Sequence, residues 1–378
     1  MTAPPLQKSE ENDMKPDYIV VGGGVVGCAV AYGLLKAGHK VTVLDGGDEA
    51  HRASRGNFGL VWLSSKGLGA PHYAAWTRRS VGLWRKLADE LEAATGEDLN
   101  LVQNGGYDFH FCQQEMAEKA KQYEVLRQQL GTDHPYEVWD RDRLVAEEPE
   151  IGDEVVGAIY GPEDGHVNPL NLLRAYTKAI KKLGARIVTG VTVKDVFKNH
   201  AQRFEVVLQD GTHHNSAKVI LSAGLGSAQL GPKLGFVAPI SAQKGQVLIT
   251  EKLPPRLKRA SGIIRQVNEG GIQIGDSKEN AGFDDSDTLD VTAAIAERAI
   301  AVYPFLAQTK LVRSWGAIRI ISPDGLPIYQ QSKTNSGAYL ISCHSGITLA
   351  AAHSYLLPAW LEEAADAPTL ELFSEDRF

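Results

Sequence analysis

The residues best placed to do chemistry stand near the start of the chain. Gly22, Gly24 and Gly27 follow an apolar run, Tyr18 to Val21, and Val25 and Val26 open a small-residue segment that leads to a second run, Val41 to Leu44, closed by Asp45. Each glycine has a physical reason: Gly22 permits a tight turn, Gly24 lets a pyrophosphate approach the backbone, and Gly27 lets a helix sit close on its strands. The helix start offers unpaired N–H groups and a positive dipole end to the phosphates. Asp45 stands where a carboxylate accepts hydrogen bonds from an adenosine ribose, and it would repel a 2′-phosphate, so the motif points to NAD or FAD rather than NADP. A glycine turn alone is a weak sign. Strand, glycines, helix, second strand and acid in this order are the context that makes it a dinucleotide site.

Other groups with chemical capacity are scattered along the chain. The run from His51 to Leu60 contains Arg52, Ala53, Ser54, Asn57, Phe58 and Gly59. Such a loop can bring backbone N–H groups, an arginine or a hydroxyl to a cofactor, or it can be a plain surface loop. Ser222-Ala223-Gly224 ends a β-rich run as a second small-residue corner. Arg319 lies three residues before the turn Ser322-Pro323-Asp324-Gly325, and His344-Ser345-Gly346-Ile347-Thr348 opens a final helix whose N-terminus can face a polar group.

The elements that must position these groups read as an α/β chain. Residues from Ala74 to Gly96 form an amphipathic helix with Trp76, Ser80, Leu83, Trp84, Leu87 and Leu91 on one face, and a second helix runs from about Gln113 to Leu130. Leu101 to Phe111 alternates like a strand pair around Gly105-Gly106. Asn168 caps a helix with Pro169 at its first position. Arg186 to Val196, Phe204 to Leu208 and Lys218 to Leu221 are β-rich, as are Gln246 to Thr250 and Gly271 to Gly275. A helix at about Ala293 to Tyr303 ends before Pro304, and Ala338 to Cys343 is the last strand.

At 378 residues, with 43% hydrophobic and 22% charged residues, the chain is an ordinary globular protein of two or three domain-sized units. A net charge of −7 speaks against nucleic-acid binding. Residues 1–14 are polar, lack an apolar core and read as a disordered tail without a signal peptide, so the expected location is the cytoplasm. Tyr18 to Leu35 contains no charge, but its glycines and the strand that follows argue against a membrane span. Cys28, Cys112 and Cys343 are too few and too scattered for a disulfide framework or an iron–sulfur cluster, and no metal site is expected.

Taken in order, these motifs resemble the D-amino acid oxidase family of FAD-dependent oxidoreductases, which includes glycine and sarcosine oxidases and D-amino acid dehydrogenases. The resemblance spans nearly the whole chain from Lys15. It rests on the fingerprint with Asp45, Arg52-x-Ser54, Val193, Ser222-Ala223-Gly224, Lys244-Gly245-Gln246, Trp315-Gly316-x-x-Arg319, Pro323-Asp324-Gly325 and the final helix start. The run from Ser54 to Trp62 is most similar to the branch of opine oxidase β subunits and the hydrogen cyanide synthase flavin subunit.

The resemblance implies a glutathione-reductase-like Rossmann domain for FAD, built from 15–60, 165–234 and 312–368, and an antiparallel-sheet α+β substrate domain from 61–164 and 235–311. It places FAD against Gly22, Gly24, Val25, Val26, Gly27, Asp45, Gly46, Arg52, Ala53, Ser54, Asn57, Phe58, Gly59, Val193, Ser222, Ala223, Gly224, Gly346, Ile347 and Thr348. It gives Arg319 the carboxylate-binding position, where its planar fork suits bidentate recognition, although many arginines only form surface ion pairs. It leaves His344 to touch substrate or merely pack. Sarcosine oxidases attach FAD through a cysteine near the stretch that here reads Gly316-Ala317-Ile318, so the FAD is expected to be non-covalent. The implied reaction is hydride transfer from the amine-bearing carbon of an amino acid, opine or related compound to flavin N5, in a β-type subunit whose partner subunits carry further redox centres. A self-sufficient oxidase producing hydrogen peroxide and an FAD-containing structural subunit are the alternatives. A nicotinamide enzyme fits the first motif only.

Overall fold

Tyr18–Val21 and Val41–Asp45 pair in parallel, as the fingerprint requires, inside a six-stranded sheet. The computed structural model describes residues 16–47, 53–131 and 134–378. The expected tail and Arg52 lie outside them. Across the sheet the order is Ile328–Gln331, Ala338–Ser342, Lys218–Leu221, Tyr18–Val21, Val41–Asp45 and Arg186–Thr189. The inner pairings are parallel and the outer strand Ile328–Gln331 runs antiparallel to its neighbour.

Both faces of this sheet are covered, which is why strands within it such as Tyr18–Val21 and Ala338–Ser342 are buried along their whole length rather than alternating. Tyr18 and Val20 point into one core with the helices Val25–Lys36, Pro71–Thr95, Pro169–Lys182 and Ala350–Tyr355. Ile19 and Val21 point into another, against the antiparallel strands Val193–Lys198, Phe204–Leu208 and His213–Ser216. Asn168 accepts from the N–H groups of Leu170 and Asn171, and Pro169 is the first residue of its helix. Among the described residues no helix is long and apolar enough to cross a membrane.

A second group of sheets lies beyond the C-terminal ends of the parallel strands. One has the order Ile264–Gln266, Gly271–Gly275, Ser241–Lys252, Leu311–Ile321; another has the order Ala260–Ser261, Gly106–His110, Gly157–Gly161, Glu137–Asp140. They share a third core that includes Tyr107, Leu248, Ile272 and Val302.

Several expectations need correction. Leu101 to Phe111 is not a strand pair: Gly105 turns the chain at φ 93°, only Gly106–His110 is a strand, and its partners are the distant Gly157–Gly161 and Ala260–Ser261. Arg186 to Val196 is two strands in two sheets, broken where Gly190 adopts φ 73°. The helix expected from Ala74 begins at Pro71, whose missing N–H is harmless in a first turn, and the one expected from Ala293 begins at Leu289. Within 312–368, expected in the FAD-binding domain, the strand Leu311–Ile321 pairs along its length with Ser241–Lys252. A strand that crosses from one sheet system toward the other carries no local mark of its partner.

Candidate active site

The strands Tyr18–Val21, Val41–Asp45 and Lys218–Leu221 end at one corner, in the crevice where open α/β sheets bind ligands. Gly22 has φ 110°, and a Cβ there would stand 2.3 Å from the Ser222 carbonyl oxygen; one on Gly27 would stand 1.9 Å from the Gly22 carbonyl oxygen. Both obstacles are backbone and cannot yield. A Cβ on Gly24 would meet only the Ser54 side chain, its Oγ at 2.9 Å. Ser54 Oγ accepts from Val25 N at 3.0 Å, and no acid stands in the first turn of Val25–Lys36. The positive helix end therefore lacks a counter-charge of its own, which suits a pyrophosphate.

Asp45 is held at the same corner, Oδ2 accepting from Gly23 N at 2.7 Å and Oδ1 from Gly47 N at 2.9 Å, with Gly46 exposed between. Each carboxylate oxygen keeps further acceptor capacity for ribose hydroxyls. Ser222 Oγ donates to the Val21 carbonyl oxygen, Ala223 packs on the second core, and Gly224 turns at φ 60°. Gly346 approaches the same helix start, since a Cβ on it would lie 3.1 Å from Val26 Cγ2. Val193 stands apart, half-buried at the start of its strand in the three-stranded sheet.

A separate cleft of about 910 Å³, part of it open to solvent, lies between the two sheet systems. It gathers Ala53, Asn57, Phe58, Arg319, His344, Ile347 and Thr348 from the residues expected at the site, and adds Lys66, Trp62, Gly245 and Asp276. Gly59 does not line it. Its N–H donates to Asn57 Oδ1 at 2.7 Å and its carbonyl oxygen accepts from Val167 N at 2.8 Å, so it shapes the loop. Phe58 packs on Gly275 and lies 5.7 Å from the Arg265 guanidinium. Thr348 Oγ1 donates to the Leu60 carbonyl oxygen at 3.0 Å, and its own carbonyl oxygen accepts from Ser80 and Trp84. His344 to Thr348 form a turn, and the helix after it starts only at Ala350 and is followed by another, Leu357–Leu361.

Arg319 is placed by the two motifs around it. In the pairing of Ser241–Lys252 with Leu311–Ile321, Gly245 lies opposite Ala317, and the Arg319 side chain lies across the empty face of Gly245. Its Nη1 donates to the carbonyl oxygens of Ser277 at 2.8 Å and Lys244 at 3.3 Å, and Nη2 pairs with Asp276. Lys244 and Gln246, flanking Gly245, both bond Glu279, and Gln246 also exchanges bonds with Thr288. A Cβ on Gly316 would stand 2.3 Å from the Asp285 carbonyl oxygen, so this glycine admits the 285–288 segment. The conspicuous motif residues thus build a frame for one guanidinium.

The cleft is cationic. Lys66 donates to Ser345 Oγ at 2.9 Å and has no acid partner among the described residues, and Asp276 is the one acid among those that line the cleft. His344 is exposed to the cleft; partial desolvation there, with Lys66, Arg319 and Lys278 nearby, holds its imidazole below the ordinary range, so it is neutral. Burial pushes the Cys343 thiol up to about 12, which leaves it protonated and a poor nucleophile. Lys66 and Asp276 escaped the sequence reading. Lys66 had a signal, being the only charged residue between Arg55 and Arg78; Asp276 had none beyond following a strand.

The family profile described as FAD dependent oxidoreductase matches residues 17–360. A subunit of the opine oxidase of Agrobacterium tumefaciens (strain Ach5) is 37% identical over 96% of this chain and 97% of its own. Glycine oxidase of Geobacillus kaustophilus is 26% identical over 96% and 97%, and the crystal structure of glycine oxidase from that organism superposes with a TM-score of 0.88 over 96% of this chain and 99% of its own, at 25% identity. The chain belongs to this family of FAD-dependent oxidoreductases, and its cofactor is FAD.

Proposed function

We propose that this enzyme oxidises the C–N bond of an amino acid or N-substituted amino acid of the opine, D-amino acid or hydroxyproline type, as the β-type catalytic subunit of a heteromeric dehydrogenase. The observation that carries the reading is Arg319: a guanidinium pinned by two backbone carbonyls, laid over a glycine and aimed into a cationic cleft. The similarity to the opine oxidase subunit supports both the substrate class and the subunit role.

In this reading the corner at Gly22, Gly24, Val25, Val26, Gly27, Asp45, Gly46, Ser54 and Ser222-Ala223-Gly224 holds the adenosine and pyrophosphate of FAD, with Val193 contributing from the neighbouring three-stranded sheet and Arg52, outside the described residues, as a further cation. Ala53, Asn57, Phe58, Gly346, Ile347 and Thr348 hold the ring end, and Gly59 shapes the loop that presents them. When bound, FAD supplies the hydride acceptor. Arg319 fixes the substrate carboxylate with charge-assisted bonds and so orients the amine-bearing carbon. His344, neutral, presents an uncharged wall, and Phe58, Trp62 and Ile347 keep water from the reacting carbon. With Cys343 protonated and no cysteine at 316–318, the cofactor is held without a covalent bond.

The test is anaerobic mixing of the yellow protein with glycine, sarcosine, D-amino acids, D-hydroxyproline and opines, following flavin bleaching. Bleaching by one of these that Arg319→Ala abolishes, with slow reoxidation in air, is the expected result. Bleaching untouched by Arg319→Ala removes the clamp from the mechanism, and no bleaching by any compound favours a structural subunit. The full-length similarity to glycine oxidase supports a second reading, a self-sufficient oxidase. Fast reoxidation with hydrogen peroxide release would select it.

A further inference from the structure

We propose that Asp276 is the substrate-site residue that receives the amine of the substrate, and that in the ligand-free protein it holds Arg319 in the substrate's stead. This rests on the reading of Arg319 as the carboxylate clamp.

The two partners are built differently. Arg319 is rigid, its Nη1 tied to the Ser277 and Lys244 carbonyl oxygens, so the edge it presents to Asp276 cannot swing away. Asp276 is tethered only through its backbone: Arg298 Nη2 donates to the carbonyl oxygens of Gly275 at 2.8 Å and Asp276 at 2.9 Å. Its carboxylate has Arg319 as its one partner among the described residues and is 37% exposed to the cleft. One short rotor on a fixed backbone therefore separates the paired state from an open one.

The charge pattern requires such a residue. An incoming carboxylate that takes the guanidinium edge must displace the Asp276 carboxylate, because two anions on one edge repel. The amine of the same molecule is two bonds from its carboxylate and arrives in a cleft lined by the cations Arg319 and Lys66. As an ammonium it would be rejected by that field were Asp276 absent. The displaced Asp276 is the one carboxylate among the described lining residues able to receive it. The resting ion pair is thus an internal stand-in for a zwitterion: Arg319 exchanges Asp276 for the substrate carboxylate, and Asp276 exchanges Arg319 for the substrate nitrogen.

The exchange makes a prediction of opposite signs. In FAD-loaded Asp276→Asn, ligand affinity is read from perturbation of the flavin spectrum, or from the concentration dependence of anaerobic bleaching, for matched pairs that differ only at nitrogen: glycine with glycolate, alanine with lactate, proline with tetrahydrofuran-2-carboxylate. The amino member should bind about tenfold weaker or worse, the loss typical of a charge-assisted bond, while the carboxylate-only member should bind tighter because its competitor is gone. Asp276→Glu, which keeps the charge, should restore part of the preference for the amine. If both members bind tighter, Asp276 merely plugs the arginine; if both weaken or neither changes, it is structural or idle. Each of these outcomes overturns the proposal. Arg319→Ala separates the underlying reading, since a carboxylate-only ligand that binds it as tightly as the wild type overturns the clamp itself, as does failure of the wild type to bind any pair.

Discussion

A single methyl group placed on Gly245 tests the frame around Arg319. A Cβ there would lie 2.0 Å from Nη2, 2.3 Å from Cζ and 2.4 Å from Nη1 of Arg319, and these are its three nearest atoms. Ordinary contact begins at 3.4 Å, so the guanidinium must retreat by the difference from 2.0 Å, 1.4 Å. The displaced group is held by hydrogen bonds and belongs to a side chain rather than to the backbone, and alanine is a better strand residue than glycine, so folding and FAD content should survive. The bonds to Ser277 and Lys244 that fix the guanidinium would be lost. A misplacement of about 1 Å in a positioning group can cost about 10²-fold in rate, or about 2.7 kcal/mol of transition-state free energy. Gly245→Ala is therefore expected to keep its flavin spectrum and thermal midpoint but lose about 10²-fold in kcat/KM for flavin reduction, measured by anaerobic stopped flow with the compound that bleaches the wild type. Unchanged kcat/KM in a folded, FAD-loaded variant would refute the argument that Gly245 exists to seat Arg319.

Gly27→Ala meets backbone instead, a Cβ 1.9 Å from the Gly22 carbonyl oxygen, and should yield protein without FAD, checked by the absorbance ratio of purified protein; a fully yellow variant would show that the helix can lift off the turn. Acid precipitation of the wild type should leave the flavin in the supernatant, and flavin retained in the pellet would overturn the non-covalent assignment. Burial holds His353 and His166 down to about 3, so the native state stays neutral at sites where the unfolded chain takes up protons below about pH 6.5. Their contribution is complete above that value and is lost as pH falls toward 3. Replacing His353 by Gln should flatten the decline of stability between pH 6.5 and 4 by about 1.4 kcal/mol per pH unit. Urea midpoints at two pH values measure this, and an unchanged slope would mean that His353 is already charged in the native state.

The sequence by itself determined the parts whose cause is local. The fingerprint from Tyr18 to Asp45 is legible because a tight turn, a close helix and a terminal acid each demand particular residues at particular spacings, and the strands, glycines and carboxylate stand as those demands require. Asn168 with Pro169 announced a helix start for the same reason. The parallel sheet followed, since buried strands joined by helices have few ways to assemble. The tertiary structure alone decided the cleft. Gly245 faces Arg319 because antiparallel pairing sets residue 245 opposite 317, a register that no neighbouring residue reveals. The alternation from Leu101 to Phe111 and the β-rich run from Arg186 to Val196 mark half-buried strands without naming their sheets. Asp276 became visible only when folding set its carboxylate against a guanidinium 43 positions away. Spacing along the chain encodes turns and helix faces, whereas the charges that meet in a cleft are chosen by long-range pairing.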